Sequence, residues 1–197
     1  YGDTVKMYFE EDLYDVKKID AFNNVILKSN TYNVDGKGNT LIFFVEKELL
    51  IIEGESSELI TKDTKMFSDG KIQINNITGE FIIEGPNSSL VSEEILIEGH
   101  YIDGIFSKLN EENDIVKLKV IDENIAFIKS ENTDMYAKQA NYKKETSIIY
   151  LEDSVKIIRD GETITGDHGT LDTKNNSYKV KSKDSNKVKV LLSNKDE

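Results

Sequence analysis

Ser147–Arg159 reads SIIYLEDSVKIIR, and its alternation decides the fold class. Ile149, Leu151, Val155 and Ile157 fall on one face of an extended segment; Ile148, Tyr150, Lys156 and Ile158 fall on the other. Successive strand residues point to opposite sides, so this is a period of two and not a helical period. Both faces are partly apolar, as in a sandwich strand or a strand lining a groove. Stretches of the same character precede it: NNVIL (Asn23–Leu27), LLIIEG (Leu49–Gly54), FIIEG (Phe81–Gly85), ILIEG (Ile95–Gly99) and ENIAFI (Glu123–Ile128). With Ile149–Ile158 they recur roughly every 28 residues, each closed by a small or acidic turn. A strand-turn unit of this length cannot bury its apolar face alone, so neighbours must stack into a continuous core. Function in such a chain is sought along the sheet, in a groove or at an end face.

Turn chemistry is legible. Asp-Gly pairs stand at Asp35-Gly36, Asp69-Gly70, Asp103-Gly104 and Asp160-Gly161, each between strand-like segments. Asp-Gly suits the positive φ angles of a tight hairpin, so all four predict hairpin turns. Lys65–Ser68 and Lys71–Ile74 flank the second; Val155–Arg159 and Glu162–Thr165 flank the fourth. Asn175-Asn176 predicts a further turn, and Pro86, the only proline, follows an EG turn. Helix signals are poor: Phe106–Asn113 and Glu46–Leu50 hold a turn or two at most. No linker rich in Gly, Ser or Pro divides the chain, so residues 1–197 are expected to form one domain with a frayed tail, Ser193–Glu197. The expected class is all-β: an elongated antiparallel jellyroll or half-open sandwich of short repeated strand-turn units.

Composition agrees. The hydrophobic fraction is 38%, little for a thick globular core but enough for a thin sandwich. A net charge of -12 argues against nucleic acid, which needs a basic stripe. The absence of cysteine excludes disulfides, thiolate metal sites and a cysteine nucleophile. No apolar run approaches the roughly 18–20 residues that span a bilayer. The chain begins Tyr1-Gly2-Asp3 without an initiator Met, as expected of a mature or trimmed form whose signal peptide or anchor is removed.

Catalytic signatures are missing. His100 and His168 are the only histidines, and neither lies beside a nucleophile elbow or a positioned triad. The clusters Glu10-Glu11-Asp12, Glu93-Glu94 and Glu111-Glu112 read as solvated turns and edge protection. Asp35–Asn39 lacks the spacing and distal Glu of a calcium loop. With no Trp and scattered Tyr, no sugar slot with aromatic platforms is evident. No enzyme activity, metal or cofactor is expected.

Ala137–Val180 carries an ordered set of short motifs: A-x-x-A-x-Y, then I-x-L-x-x-x-V-x-I-x-R-D-G-x-x-I-T-G-D, then L-D-T-K-x-x-x-Y-x-V. This segment, about a quarter of the chain, resembles the OstA-like family of lipopolysaccharide-transport proteins. Ser154–Ile157 stands at the family's "gnV" strand, Thr165-Gly166-Asp167 at its "TGD" strand, and Asp172-Thr173-Lys174 at its "D-T-K-T" turn. Ala21–Val25 is similar to its opening "GNV" strand, and Lys187–Leu192 to its last strand. The first half of the chain follows the family mainly by repeat rhythm.

The resemblance implies a twisted, open β-jellyroll in the periplasm. Its groove would bind the lipid A acyl chains of lipopolysaccharide. Copies would join head to tail, or to LptC-like and LptD-like transport proteins, as a bridge carrying lipopolysaccharide from inner to outer membrane. An LptA-like bridge and an LptC-like membrane-anchored component both fit; a structural or adhesive β-repeat protein is the alternative from another class. On this reading the groove candidates are Val25, Leu27, Ile52, Ile83, Ile97, Phe127, Ile149, Leu151, Val155 and Ile157, for which an ordinary filled core is the competing explanation. Lys156 and Arg159, in the most basic region with Lys179, Lys181 and Lys183, are headgroup candidates against a role in solubility. Val188, Val190 and Leu192 form the expected assembly edge.

Overall fold

The computed structural model describes residues 1–12, 14–30, 33–93, 95–107, 114–183 and 187–192. Within them lie 15 strands and no helix. They are β1 (Thr4–Phe9), β2 (Val16–Ser29), β3 (Val34–Phe44), β4 (Leu49–Glu53), β5 (Ser57–Ile60), β6 (Thr64–Ser68), β7 (Lys71–Asn75) and β8 (Glu80–Ser92). β9 (Ile95–Phe106), β10 (Ile115–Ser130), β11 (Thr133–Lys143), β12 (Ile148–Arg159), β13 (Glu162–Asp172), β14 (Ser177–Lys181) and β15 (Lys189–Leu192) complete the set. Every pairing is antiparallel. The expected all-β antiparallel class is the class observed. Ser193–Glu197 and residues 108–113, for which fraying and a helical turn were expected, lie outside the described residues; 46–48 form a turn before β4.

The long strands are broken by corners. β2 shifts register between Phe22 and Val25, where Asn23 and Asn24 take φ 58° and 50°. β8 shifts between Glu84 and Ser88, around Gly85 and Asn87. β10 shifts between Ile121 and Ala126, and β12 between Glu152 and Val155, where Asp153 and Ser154 take φ 60° and 57°. Gly54 and Ser56, both at positive φ, separate β4 from β5 in the same way. Asn, Asp and Gly tolerate this backbone region, and the extra residues of a bulge bend the strand. The corners explain the sequence rhythm, with a correction: the interval between them is nearer 30 residues than 28, and the recurring unit is a bent hairpin.

Each corner carries the chain from one layer of a sandwich to the other. The first layer runs β1, the N-terminal half of β2, the C-terminal half of β3, β4, β7, the N-terminal half of β8, the C-terminal half of β9, and so on to β14. The second runs from the C-terminal half of β2 through the N-terminal half of β3, β5, β6 and the C-terminal half of β8 to β15. Facing ladders of apolar residues cross the strands. In the first layer one reads Val5, Ala21, Leu41, Ile52, Ile72, Ile83, Ile102, Val120, Ala140, Leu151. In the second, one reads Leu59, Met66, Leu90, Ile97, Ile128, Met135, Ile157. Most of these are fully buried, each contributing about 1.5–3 kcal/mol by removal from water.

Three of the four Asp-Gly expectations are corrected. Only Asp160-Gly161 is a hairpin turn, with φ 49° and 85° between β12 and β13. Asp69-Gly70 is a corner, because β6 and β7 do not pair with each other. Asp35-Gly36 and Asp103-Gly104 lie inside β3 and β9. There glycine serves close approach. A Cβ on Gly104 would stand 2.5 Å from Phe81 Cζ and 2.6 Å from the Lys117 carbonyl oxygen. Glycine inside a strand pattern marks such contacts as often as a turn. The Asn175-Asn176 turn joins β13 to β14 as expected, with Asp172 accepting from the backbone of Lys174 and Asn175.

Ion pairs fasten the outer faces. Glu58 on β5 meets Lys65 Nζ at 2.8 Å and Lys37 Nζ at 3.6 Å. The hydrogen bond from Lys65 holds the Glu58 carboxyl below its ordinary value, with Lys37 adding to the effect. A depressed folded-state pKa gives stability that is present above the unfolded value, about 4.3, and lost as pH falls through the folded one. Glu58→Gln is therefore expected to cost about 0.5–1 kcal/mol at neutral pH. The gap from wild type should close below about pH 4, read by denaturant unfolding at several pH values.

Candidate functional site

The layers close together along the corner side. There the Ile52 side chain lies over the β3 backbone, so close that a Cβ on Gly38 would stand 2.5 Å from its Cγ2. On the opposite side two rows of hairpin turns face each other. Between β1 and β9 the layers diverge around a cavity of ≈ 400 Å³. Its first-layer wall is Val5, Ile19, Ala21, Leu41, Phe43, Leu50, Ile74 and Phe106; its second-layer wall is Val25, Leu27, Val34 and Leu59. Ser29, Asn33, Thr61, Lys62 and Asp63 form one lip, and Glu48, Asn75 and Asn76 the other.

The lips are braced by local hydrogen bonds. Asn75 Oδ1 accepts from the backbone of Ile77 and Thr78 at 2.8 and 2.9 Å, and Asn76 donates to the Glu48 carboxylate at 2.7 Å. Thr61 Oγ1 accepts from Thr64 N at 3.1 Å. Asn and Thr hold turns through such side-chain bonds. Among the described residues, charged side chains reach the cavity only at the lips, as Glu48, Lys62 and Asp63, and the walls between are aliphatic and aromatic. An arrangement of this kind removes an apolar chain from water and leaves a polar end at the rim.

The groove is blind at its inner end. Phe106 stacks on Phe81 with ring centroids 4.5 Å apart and planes tilted by 32°. The Phe81 ring lies over Gly104, and Leu118 is the next residue in that cross-strand row. Beyond Phe81 the facing ladders touch: Ile83, Ile97, Ile102, Val120 and Met135 are all inaccessible to solvent.

The structure scatters the sequence candidates. Val25 and Leu27 line the cavity. Ile52 closes its corner side. Ile83, Ile97, Ile149, Leu151, Val155 and Ile157 face inward, as their alternation predicts, but into the filled core of the strands beyond. Phe127 has the opposite parity: Ala126 and Ile128 point inward, and Phe127 stacks outside on Tyr136 at 5.0 Å. Parity is kept across the corner at residues 122–125: Leu118 and Val120 before it and Ala126 and Ile128 after it are all buried, which leaves Phe127 on the outer face. Lys156 lies on that outer face over the Tyr136 ring, and Arg159 donates to the Asn176 carbonyl at 2.7 Å and pairs with Asp160. Neither lines the groove. Lys156 borders a second recess of ≈ 340 Å³, with Ser154, Thr165, Ser182, Lys187 and Lys189 around it. His100 and His168 stand on different strands, β9 and β13. The sequence reading missed Phe43, Leu50, Leu59, Ile74 and Phe106 as groove walls. Phe43-Phe44, two adjacent aromatics splayed to opposite faces, was the available signal.

Both ends of the sandwich are open. On β1, Val5 and Met7 belong to the inner ladders yet are 46% and 55% exposed; among the described residues no second-layer strand lies beyond β2 to cover them. Tyr1 pairs there, exchanging backbone hydrogen bonds with Ile26. At the other end Val190, opposite Ile164, is 52% exposed, and Val188 and Leu192 are exposed with it.

No protein-family model matches the chain, and none of the curated proteins matches its sequence. Its structure is similar to that of LptH, the LptA-homologous periplasmic component of the lipopolysaccharide transport device of Pseudomonas aeruginosa. The TM-score is 0.52 at 12% identity, over 66% of this chain and 95% of that one. The likeness is one of fold, and the antiparallel β-jellyroll expected from the sequence is the fold it shares.

Proposed function

We propose that this chain is a non-enzymatic bridge of lipopolysaccharide transport in the periplasm, which takes a lipid A acyl chain into the groove between β1 and β9. The observation that carries the reading is the groove itself: apolar walls, a polar mouth between two rows of turns and, among the described residues, no chemistry-bearing side chain on the walls. Each methylene buried there gains about 0.8 kcal/mol, so burial of a whole acyl chain of about ten or more methylenes offsets an association cost of about 4–15 kcal/mol. The fold shared with LptH supports the reading, as do the motifs of Ala137–Val180. The test is direct titration. Lipopolysaccharide should displace an environment-sensitive fluorescent fatty acid from the purified chain at near-equimolar ratio. Failure of lipopolysaccharide to displace it at any concentration would overturn the proposal.

The open ends extend it. Unpaired strand edges bearing uncovered inner-face residues suit strand addition by a second copy or by LptC-like and LptD-like partners. Light scattering should show particle size rising with concentration, and removal of Lys189–Leu192 should suppress the rise. A size independent of concentration in the full chain would contradict self-assembly.

A further inference from the structure

We infer that the groove takes a single saturated acyl chain of about sixteen carbons or fewer, and that Phe106, backed by Phe81, sets that limit. The inference rests on the acyl-slot reading above and adds to it a capacity and a ruler. An apolar protein cavity of about 150 Å³ accepts benzene, which has six carbons. On that scale ≈ 400 Å³ holds about sixteen carbons. The shape is long and thin. From Val5 on β1 to Phe106 on β9 the groove crosses six strand spacings of about 4.8 Å, roughly 29 Å in all. Two such chains side by side would need about twice the volume, so the groove has room for one.

The inner limit is a specific contact. Phe106 lines the cavity and Phe81 does not, so Phe106 is the wall that an advancing chain terminus meets. Phe106 cannot swing back, because Phe81 lies behind it at 4.5 Å. Phe81 is itself pinned, with its ring over the backbone at Gly104 and its side chain fully buried. A lipid with several acyl chains would therefore be gripped by one of them, with the others left at the mouth or beyond it.

The test is a chain-length series. Saturated fatty acids from eight to twenty carbons compete with the fluorescent fatty acid for the full chain. Affinity is expected to rise about two- to fourfold per added methylene and then stop rising near sixteen carbons. Phe106→Ala should move the break longer by about two to four carbons, part of the vacated ring space being lost to collapse. Ile74→Phe, which adds bulk beside the inner end, should move it shorter, and it carries the test if Phe106→Ala fails to fold. Two outcomes overturn the inference while leaving the acyl slot standing: a series that rises without a break to twenty carbons, or a break that neither variant moves. Binding of no fatty acid at any length would instead remove the slot on which the inference rests.

Discussion

Phe81→Ala is expected to lower stability by about 3–5 kcal/mol, the loss typical of a buried ring removed from a tight core. Phe81 is fully buried, contacts the Phe106 ring, and fills the space that Gly104 leaves open. It also separates the hollow half of the sandwich from the filled remainder, so its loss opens a void that neighbours on rigid strands fill only in part. For a chain of this size each kcal/mol shifts the melting temperature by about 2–4 °C, so a fall of roughly 6–20 °C is expected. Phe127→Ala, on the outer face, should cost far less. Thermal and denaturant unfolding of both variants measure the difference, and equal losses would contradict the layer assignment.

The second large effect is on binding. Phe43→Asp should weaken acyl-chain binding at least 100-fold, about 2.7 kcal/mol. Phe43 lines the groove and is only partly buried, so its carboxylate replacement stays hydrated in the empty protein. When a chain enters, that charge is desolvated without a partner, and burying an unpaired charge costs several kcal/mol. Phe44→Asp is the matched control. Its neighbour's parity puts it on the outer face, beneath Lys18 and Lys47. Equal losses of binding in the two variants would mean that the groove is not where the lipid sits.

How much of this was legible in the sequence follows from what alternation encodes. Parity within a strand decides which side chains face the other layer, and Ile149, Leu151, Val155 and Ile157 do face it. Parity does not encode how far apart the layers stand. That distance depends on the side chains opposite: Ile52 seated on glycine backbone draws the layers together, whereas Phe43, Leu50 and Leu59 line a space that nothing fills. The filled and hollow parts thus look alike residue by residue. Corners are the second limit. A corner keeps parity in some strands, as from Val120 to Ala126, and changes it in others, as from Ile83 to Ser88, and alternation alone does not say which; at Phe127 the bulkier residue stands outside and its small neighbour Ala126 inside. Asp-Gly misled for a third reason: the pair reports backbone freedom or close approach, and only Gly161 of the four completes a hairpin, whereas Gly36 and Gly104 make room for Ile52 and Phe81.

The central claim is that an acyl chain lies between the layers at the β1–β9 end. Photo-crosslinking with lipopolysaccharide tests it residue by residue. A benzophenone side chain is placed in turn at Leu27 and Phe43 on the groove walls, at Lys28 and Phe44 on the adjacent outer faces, and at Val155 in the filled core. Each variant is first checked for a native β spectrum. Capture at Leu27 and Phe43, at least tenfold above the other three positions, is the predicted result, because neighbours on a strand point to opposite sides. Equal capture at all five positions, or strongest capture at Val155, would contradict it.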